Sequence, residues 1–251
     1  MFLFYTKIDF WGENEMNTLK LIAFGRKNST EPWYINKSHA VNRLYYVNSG
    51  TAVIHLATKE YTLSANKFYI IPQCANFKPA VAESFDHTFF DYYSSDILAP
   101  NKIYEFNSDY CGGNYFFKFI NTLLTMNKKE ILVGGAEKML AGFLSVLKAS
   151  GTEFLYVNND AIKLAVEIIH KKYANITCKS LAEEIHLNES YFIRLFHKTL
   201  GLSPMKYIRA CRILEGKELI RNGLSAKAAS EKCGYSSVTA FYRAIKSDKL
   251  C

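Results

Sequence analysis

The sequence predicts two domains: an all-β N-terminal domain with trailing helices, then an all-α bundle that carries two helix-turn-helix units. Three observations lead there. The apolar pattern changes once along the 251 residues, from short aromatic and β-branched runs broken by turn residues to helical spacing. The charge is uneven: residues 1–159 hold 15 Lys and Arg against 14 Asp and Glu, a net of +1, while residues 160–251 hold 16 against 9, a net of +7. An aromatic-anchored helix pattern at Tyr191 then returns about fifty residues later, from Tyr235.

The length fits two domains. With 49% apolar and 15% aromatic residues the chain can bury a sizeable core, which excludes wholesale disorder. Its six cysteines, at 74, 111, 178, 211, 233 and 251, form no C-x-x-C pair and have no partnering histidine spacing. A zinc site and a disulfide scaffold are therefore not expected, and a reducing cytoplasm is. The first 17 residues are aromatic but interrupted by Lys7 and Asp9, without the apolar run and small-residue cleavage site of a signal peptide. No apolar run approaches the roughly 18 residues of a membrane span.

Strands are expected in "RLYYV", "TAVIHLAT", "KFYIIP" and "HTFFDYY", with "NSG" and "KE" as turns. Helices follow at 113–126 and 134–150, where Tyr115, Phe116, Phe119, Leu123 and Leu124, then Ile131, Met139, Leu140, Phe143, Leu144 and Leu147, recur at helical spacing. Residues 1–150 make the first domain. Residues 151–159, rich in Gly, Ser and Asn over "ASGTEFLYVNND", read as a linker. Residues 160–251 make the second, with helices at 160–172, 178–185, 189–200, 204–221, 225–233 and 236–247, Asn188 and Ser236 as N-caps, and Pro204 in a first helical turn.

In the helix from 189, Phe192, Leu195 and Phe196 share one face with Tyr191 beside them, while Ser190, Ile193, Arg194 and His197 fall opposite. A short helix, "CKSLAEEI", and the turn "HLN" precede it, which is the helix-turn-helix layout. There the second helix enters the major groove, its first turns facing base edges while basic side chains hold phosphates. The second copy places Phe241 and Ile245 inward and Val238, Thr239, Tyr242, Arg243 and Lys246 outward. A long helix with Lys206, Arg209, Arg212, Lys217 and Arg221 joins the two readers.

Residues 176–220 and "KCGYSSVTAFYRAIK" resemble the DNA-binding domain of AraC-type (AraC/XylS) transcriptional regulators. The resemblance rests on Leu181 and Ala182; on Tyr191, Phe192, Arg194 and Phe196; on Gly201, Ser203, Pro204, Tyr207, Ile208, Arg212 and Ile213; and on Gly234 and Tyr235. It implies base-reading by Glu189, Ser190, Ile193 and Arg194 in the first unit and by Val238, Thr239, Tyr242 and Arg243 in the second. Lys198, Lys206 and Lys246 are then the phosphate contacts. The chain departs from the family at His186, where a Gly is common, at Ala229-Ser230 and at Ala240. It also stops at Cys251, before a closing Gly-x-x-Pro, so the second reader is expected to be the weaker.

The family's N-terminal part is often a cupin-like barrel that binds an effector, followed by dimerising helices. Gly50 and Leu63 through Pro72 resemble its hairpin core, with Asn66 and Lys67 replacing a Gly-Asp turn and Phe77 replacing a histidine. The resemblance implies double-stranded DNA, a small-molecule effector and a second copy of the chain as partners, and RNA polymerase for an activator. On "FDHTFFDYY", His87, Phe89 and Asp91 alternate with Thr88, Phe90 and Tyr92. Taking the first set inward gives an effector pocket of Tyr46, His55, His87 and Phe89. With no H-x-H, and with His39, His55 and His87 far apart, no metal or other cofactor is expected, and a cupin enzyme with an appended helical domain is disfavoured. A barrel that only dimerises or contacts a protein is the other alternative.

Overall fold

The structure is a computed structural model that describes residues 3–4, 19–29, 40–56, 59–78, 84–126 and 129–250. His39 and most of the first 18 residues lie outside these, as do the side chains of 129–134, Ile131 among them. The strands are β1 (Leu3–Phe4), β2 (Leu19–Ser29), β3 (Asn42–Leu56), β4 (Lys59–Ser64), β5 (Lys67–Ile71), β6 (Phe77–Lys78), β7 (Phe85–Ser94) and β8 (Tyr104–Asn107). All pairings are antiparallel, in the order β1-β2-β7-β3-β5-β8, with β4 and β6 both on the far half of β3.

The expected turn at "NSG" is not a turn. β3 runs through it for 15 residues, with a register slip against β7 between Val47 and Ser49. The three residues make a bulge and a bend, which sends the second half of β3 into its own ladder with β4. Gly50 is needed there: its φ is 78°, and a Cβ would sit 1.8 Å from the Ser84 carbonyl oxygen. The turn that follows β4 uses Asn66 at φ 62°, the residue type that tolerates the left-handed region best after glycine.

Bending the sheet gives it two buried faces. The inner one packs Tyr45, Val47, Phe85 and Phe89 of the main ladder against Ala52, Ile54 and Leu63 of the second. The other face carries Leu44, Phe68, Phe90 and Tyr92 and is covered by α1 (Gly113–Thr125) and α2 (Lys129–Ala149). Strand alternation explains the sorting. Phe117 of α1 is the centre of the second layer: it is fully buried, stacks on Tyr46 at 4.6 Å and lies within 5.8 Å of Phe68 and Phe143. A polar ring pins α1 to the sheet, since Thr88 donates to Asn121 (2.5 Å), Asn121 to Asn48 (2.8 Å) and Asn48 to Thr88 (3.1 Å).

Residues 151–159, read as a linker, are stitched to the first domain. Ala99 N–H donates to the Leu155 carbonyl (2.7 Å), Val157 N–H to that of Ile97 (2.8 Å), and Leu155 N–H to the Tyr104 hydroxyl (2.8 Å). Composition signals turn residues there but is silent on such tertiary bonds. The helical domain follows: α3 (Asp160–Lys172), α4 (Cys178–Glu184), α5 (Glu189–Leu200), α6 (Pro204–Arg221), α7 (Ala226–Lys232) and α8 (Val238–Leu250). Among the described residues no helix is long and apolar enough to cross a membrane.

Phe117→Ala should destabilise the chain by about 3–5 kcal/mol, because it opens a cavity between two rigid layers. Urea unfolding followed by circular dichroism reads the loss.

Candidate nucleic-acid interface

The first unit begins at a capping box, Thr177 and Ser180 each bonding the other's backbone N–H. Its turn is closed by His186 at φ 56°, with Leu187 N–H donating to the Ala182 carbonyl at 2.8 Å. Asn188 then caps α5, its Oδ1 accepting from the N–H groups of Ser190 (3.0 Å) and Tyr191 (3.3 Å). Phe192, Phe196 and Leu200 are buried on one stripe. Tyr191 is not part of it: the ring is 49% exposed, because position 191 lies a full 100° round the helix from Phe192. Glu189, Ser190, Arg194 and Lys198 are exposed, whereas Ile193 is partly buried against the core.

The second unit repeats the plan. The turn after α7 is made at Gly234, whose φ is 73° and whose absent Cβ would lie 1.9 Å from the Ala174 carbonyl oxygen. The cap of α8 is Ser237 and not Ser236: Ser237 Oγ accepts from Ala240 N–H at 3.1 Å. Phe241 and Ala244 are buried. Ile245 and Val238 are partly so, and Thr239, Tyr242, Arg243 and Lys246 are exposed.

Between the readers, α6 starts on Pro204 with Ser203 as cap. Its basic residues divide by role. Arg212 turns inward and donates to the carbonyls of Tyr173 (2.8 Å), Ala174 (3.0 Å) and Ile176 (3.4 Å), which fastens the end of α3. Lys206 and Arg209 stay exposed and, with Arg243, line a groove between α6 and α8 that also includes Met205, Tyr235 and Ala240. Arg209 donates to Ser247 across it. With Arg212, which also lines it, four cationic side chains edge the groove and make a surface suited to a phosphate backbone.

α6 also meets the first domain. The Tyr207 hydroxyl donates to Gln73 Oε1 (2.9 Å) and lies 2.8 Å from His170 Nε2. The His170 ring stacks on Tyr93 of β7 at 3.7 Å. Burial, with the Lys20 ammonium nearby, pulls the His170 pKa down to about 3. Lys20 of β2 pairs with Glu215 of α6. Close by on α6, burial pushes the Glu218 carboxyl up to about 7, against the Asn222 hydrogen bond and the Arg221 charge.

The four effector-pocket residues are not brought together. His87 and Phe89 lie on the inner face, His87 packed on Phe85 at 4.4 Å and Tyr45 at 5.0 Å. Tyr46 alternates to the opposite face under Phe117, and His55 is exposed beside Glu60 at 3.4 Å. Neighbouring strands bring residues close only in register, and Tyr46 pairs with Thr88, not with His87.

The geometry defines a two-domain protein with a paired helix-turn-helix unit. Residues 181–248 match the family model described as a helix-turn-helix domain. The Msm operon regulatory protein of Streptococcus mutans is 30% identical over 135 residues, 51% of this chain and 48% of that protein. The chain thus spans about half the length of this relative. An HTH-type transcriptional regulator of Bacillus subtilis, YobQ, is 23% identical over 240 residues, 91% of this chain and 90% of that one. Among solved structures, ToxT of Vibrio cholerae matches over 94% of this chain and 95% of its own, with a TM-score of 0.58 and 13% identity, a likeness of fold. The family match thus falls on the C-terminal helical domain, which is a helix-turn-helix domain.

The two turns should respond oppositely. His186→Gly should raise stability by about 1 kcal/mol by removing left-handed strain. Gly234→Ala should lower it by more than that, since its Cβ has no room. Thermal denaturation of each variant measures both. Separately, His170 is bound neutral in the fold, so its contribution is full above its ordinary pKa of 6.5 and lost as pH falls toward about 3. The melting temperature should therefore drop from pH 7 to pH 5, and drop less in His170→Gln.

Proposed function

We propose that the chain is a sequence-specific DNA-binding transcription regulator whose N-terminal domain binds a small effector and pairs two copies. The observation that carries this reading is the pair of helix-turn-helix units on one connector, the first with Phe192 and Phe196 buried and the second with Phe241, each with exposed basic and polar side chains on the other side. The 18-residue connector is about 27 Å long. That approaches the rise of one DNA turn, about 34 Å, as two readers on one face of a duplex require. The net +7 of residues 160–251 supplies the polyanion affinity.

Within this reading Glu189, Ser190 and Arg194 of α5 and Thr239, Tyr242 and Arg243 of α8 face base edges, with Ile193 and Val238 at the margin. Lys198, Lys206 and Lys246 hold phosphates. Residues 1–150 form the regulatory domain, joined through 151–159 to the DNA-binding domain at 160–251. An effector is supported by analogy with ToxT, one of whose structures is described as bound to an unsaturated fatty acid. Pairing is supported by an exposed apolar stripe on α1, Tyr115 (76%), Phe119 (52%) and Met126 (57%) at its end. The protein acts in the cytoplasm, and as an activator it contacts RNA polymerase.

Arg194→Ala should weaken binding to a site selected from random DNA by about 1–3 kcal/mol and leave random duplex nearly unaffected. Lys198→Ala should weaken both equally and lower the salt slope by about one. Fluorescence anisotropy at several salt concentrations separates the two, and equal losses for both variants on both DNAs would remove α5 from base reading.

A further inference from the structure

The inner face of the sheet packs its own side chains against one another, and a cavity of about 100 Å³ lies on the opposite face. Ile70, Tyr92 and Leu98 form its floor, Leu144 of α2 one wall, and Phe154 and Tyr156 the other. We propose that this cavity binds a small uncharged molecule with an apolar body and a carbonyl oxygen, and that its occupant is the effector of the regulator proposed above, on which reading the second half of this statement rests.

Asn42 carries the argument. It lines the cavity and is 1% exposed. Its Oδ1 accepts from Gln73 N–H at 2.9 Å, which fixes the amide orientation because a backbone donor needs an acceptor. That leaves the buried Nδ2 donor with no hydrogen-bond partner among the described residues. A ligand carbonyl supplies what this donor lacks.

Charge at the rim selects a neutral ligand. Lys148 is already paired with Asp96 at 2.7 Å and lies over the Tyr156 ring at 5.6 Å. An anion would have to displace Asp96 and a cation Lys148, whereas an uncharged molecule disturbs neither. Size sets the rest. A dry cavity of about 150 Å³ takes a benzene ring, so this one admits roughly a five-membered ring with an exocyclic oxygen.

The cavity touches both routes to the DNA-binding domain. Its wall at Phe154 and Tyr156 runs into α3 at Asp160, and Asn42 is bonded to Gln73, which accepts from Tyr207 on the connector. An occupant that moves either wall therefore acts on the spacing of the readers.

Cyclopentanone, cyclopentane and cyclopentanecarboxylate serve as probes on the full chain. Methyl-labelled Leu98 and Leu144 should shift with cyclopentanone, which should bind about ten-fold more tightly than either of the others. Ala141→Leu, whose added carbons occupy the cavity, should abolish those shifts in a protein that still melts cooperatively. Saturating cyclopentanone should change DNA affinity by about five-fold, and Tyr207→Phe should keep the methyl shifts and lose most of that change. Unmoved methyl signals, undiminished binding in Ala141→Leu, or equal binding of the carboxylate would overturn the site. A bound probe that leaves DNA affinity unchanged would overturn the coupling. Absent DNA binding without any probe would instead refute the regulator reading, and the methyl signals would still judge the cavity.

Discussion

The polar contact at the centre of the joint between the two domains is one buried hydroxyl. Tyr207 has a single proton and gives it to Gln73 of the first domain, so the short contact to His170 must be donated by the imidazole Nε2. Three elements, the strand-end loop at Gln73, α3 and α6, are thereby fixed around one fully buried ring. The chain of bonds needs a proton on His170 Nε2, which the neutral Nε2–H tautomer supplies, and burial against Tyr93 disfavours the charged ring. The connector's other anchor, Arg212, uses the same economy, one guanidinium saturating three carbonyls at the end of α3.

Local signals are legible in the sequence and tertiary ones are not. Asn188, Ser203 and Pro204 specify helix starts through bonds to their own neighbours, so α5 and α6 were legible to the residue. The stripe of Phe192 and Phe196 follows from helical period alone. Tyr191 turns away from that stripe because adjacent residues on a helix differ by 100° in facing, whatever their chemistry. "NSG" has turn composition, yet whether it makes a turn or a bulge is decided by Ser84 packing against Gly50, a contact with residue 84 that no local pattern encodes. Helical spacing lists Arg212 with the other basic residues of the connector, and only the fold brings three carbonyls to it. The same holds for Tyr46, His55 and His87, where alternation was legible and register was not.

The asymmetry between the two units also takes a physical form. The first turn accepts His186 in the left-handed region because its side chain points to solvent, so the strain is modest and purely conformational. The second turn lies against the Ala174 carbonyl and admits nothing larger than glycine. It is this second unit that is wedged between α6 and the end of α3: Gly216 lets Phe241 reach the connector, where a Cβ would meet the ring at 2.4 Å. Ala229 and Ser230, where this unit departs from the family pattern, are buried on α7, which packs against both α6 and α8.

A polar fastening between domains has a consequence that an apolar one lacks. A typical hydrogen bond contributes only about 1 kcal/mol net, but leaving one buried partner unpaired costs about 1–3 kcal/mol. Small displacements of Gln73 therefore do not loosen the joint gradually; they break the bond to Tyr207 and leave both groups buried, so the joint favours closed or fully parted states over intermediate ones. The apolar part of the same interface, Ala40, Cys74, Tyr93 and Ile97 against the helical core, sets how much work parting takes. Coupling energies of about 1–3 kcal/mol are enough to change affinity between sites, and the cost of unpairing one such buried bond is of that size.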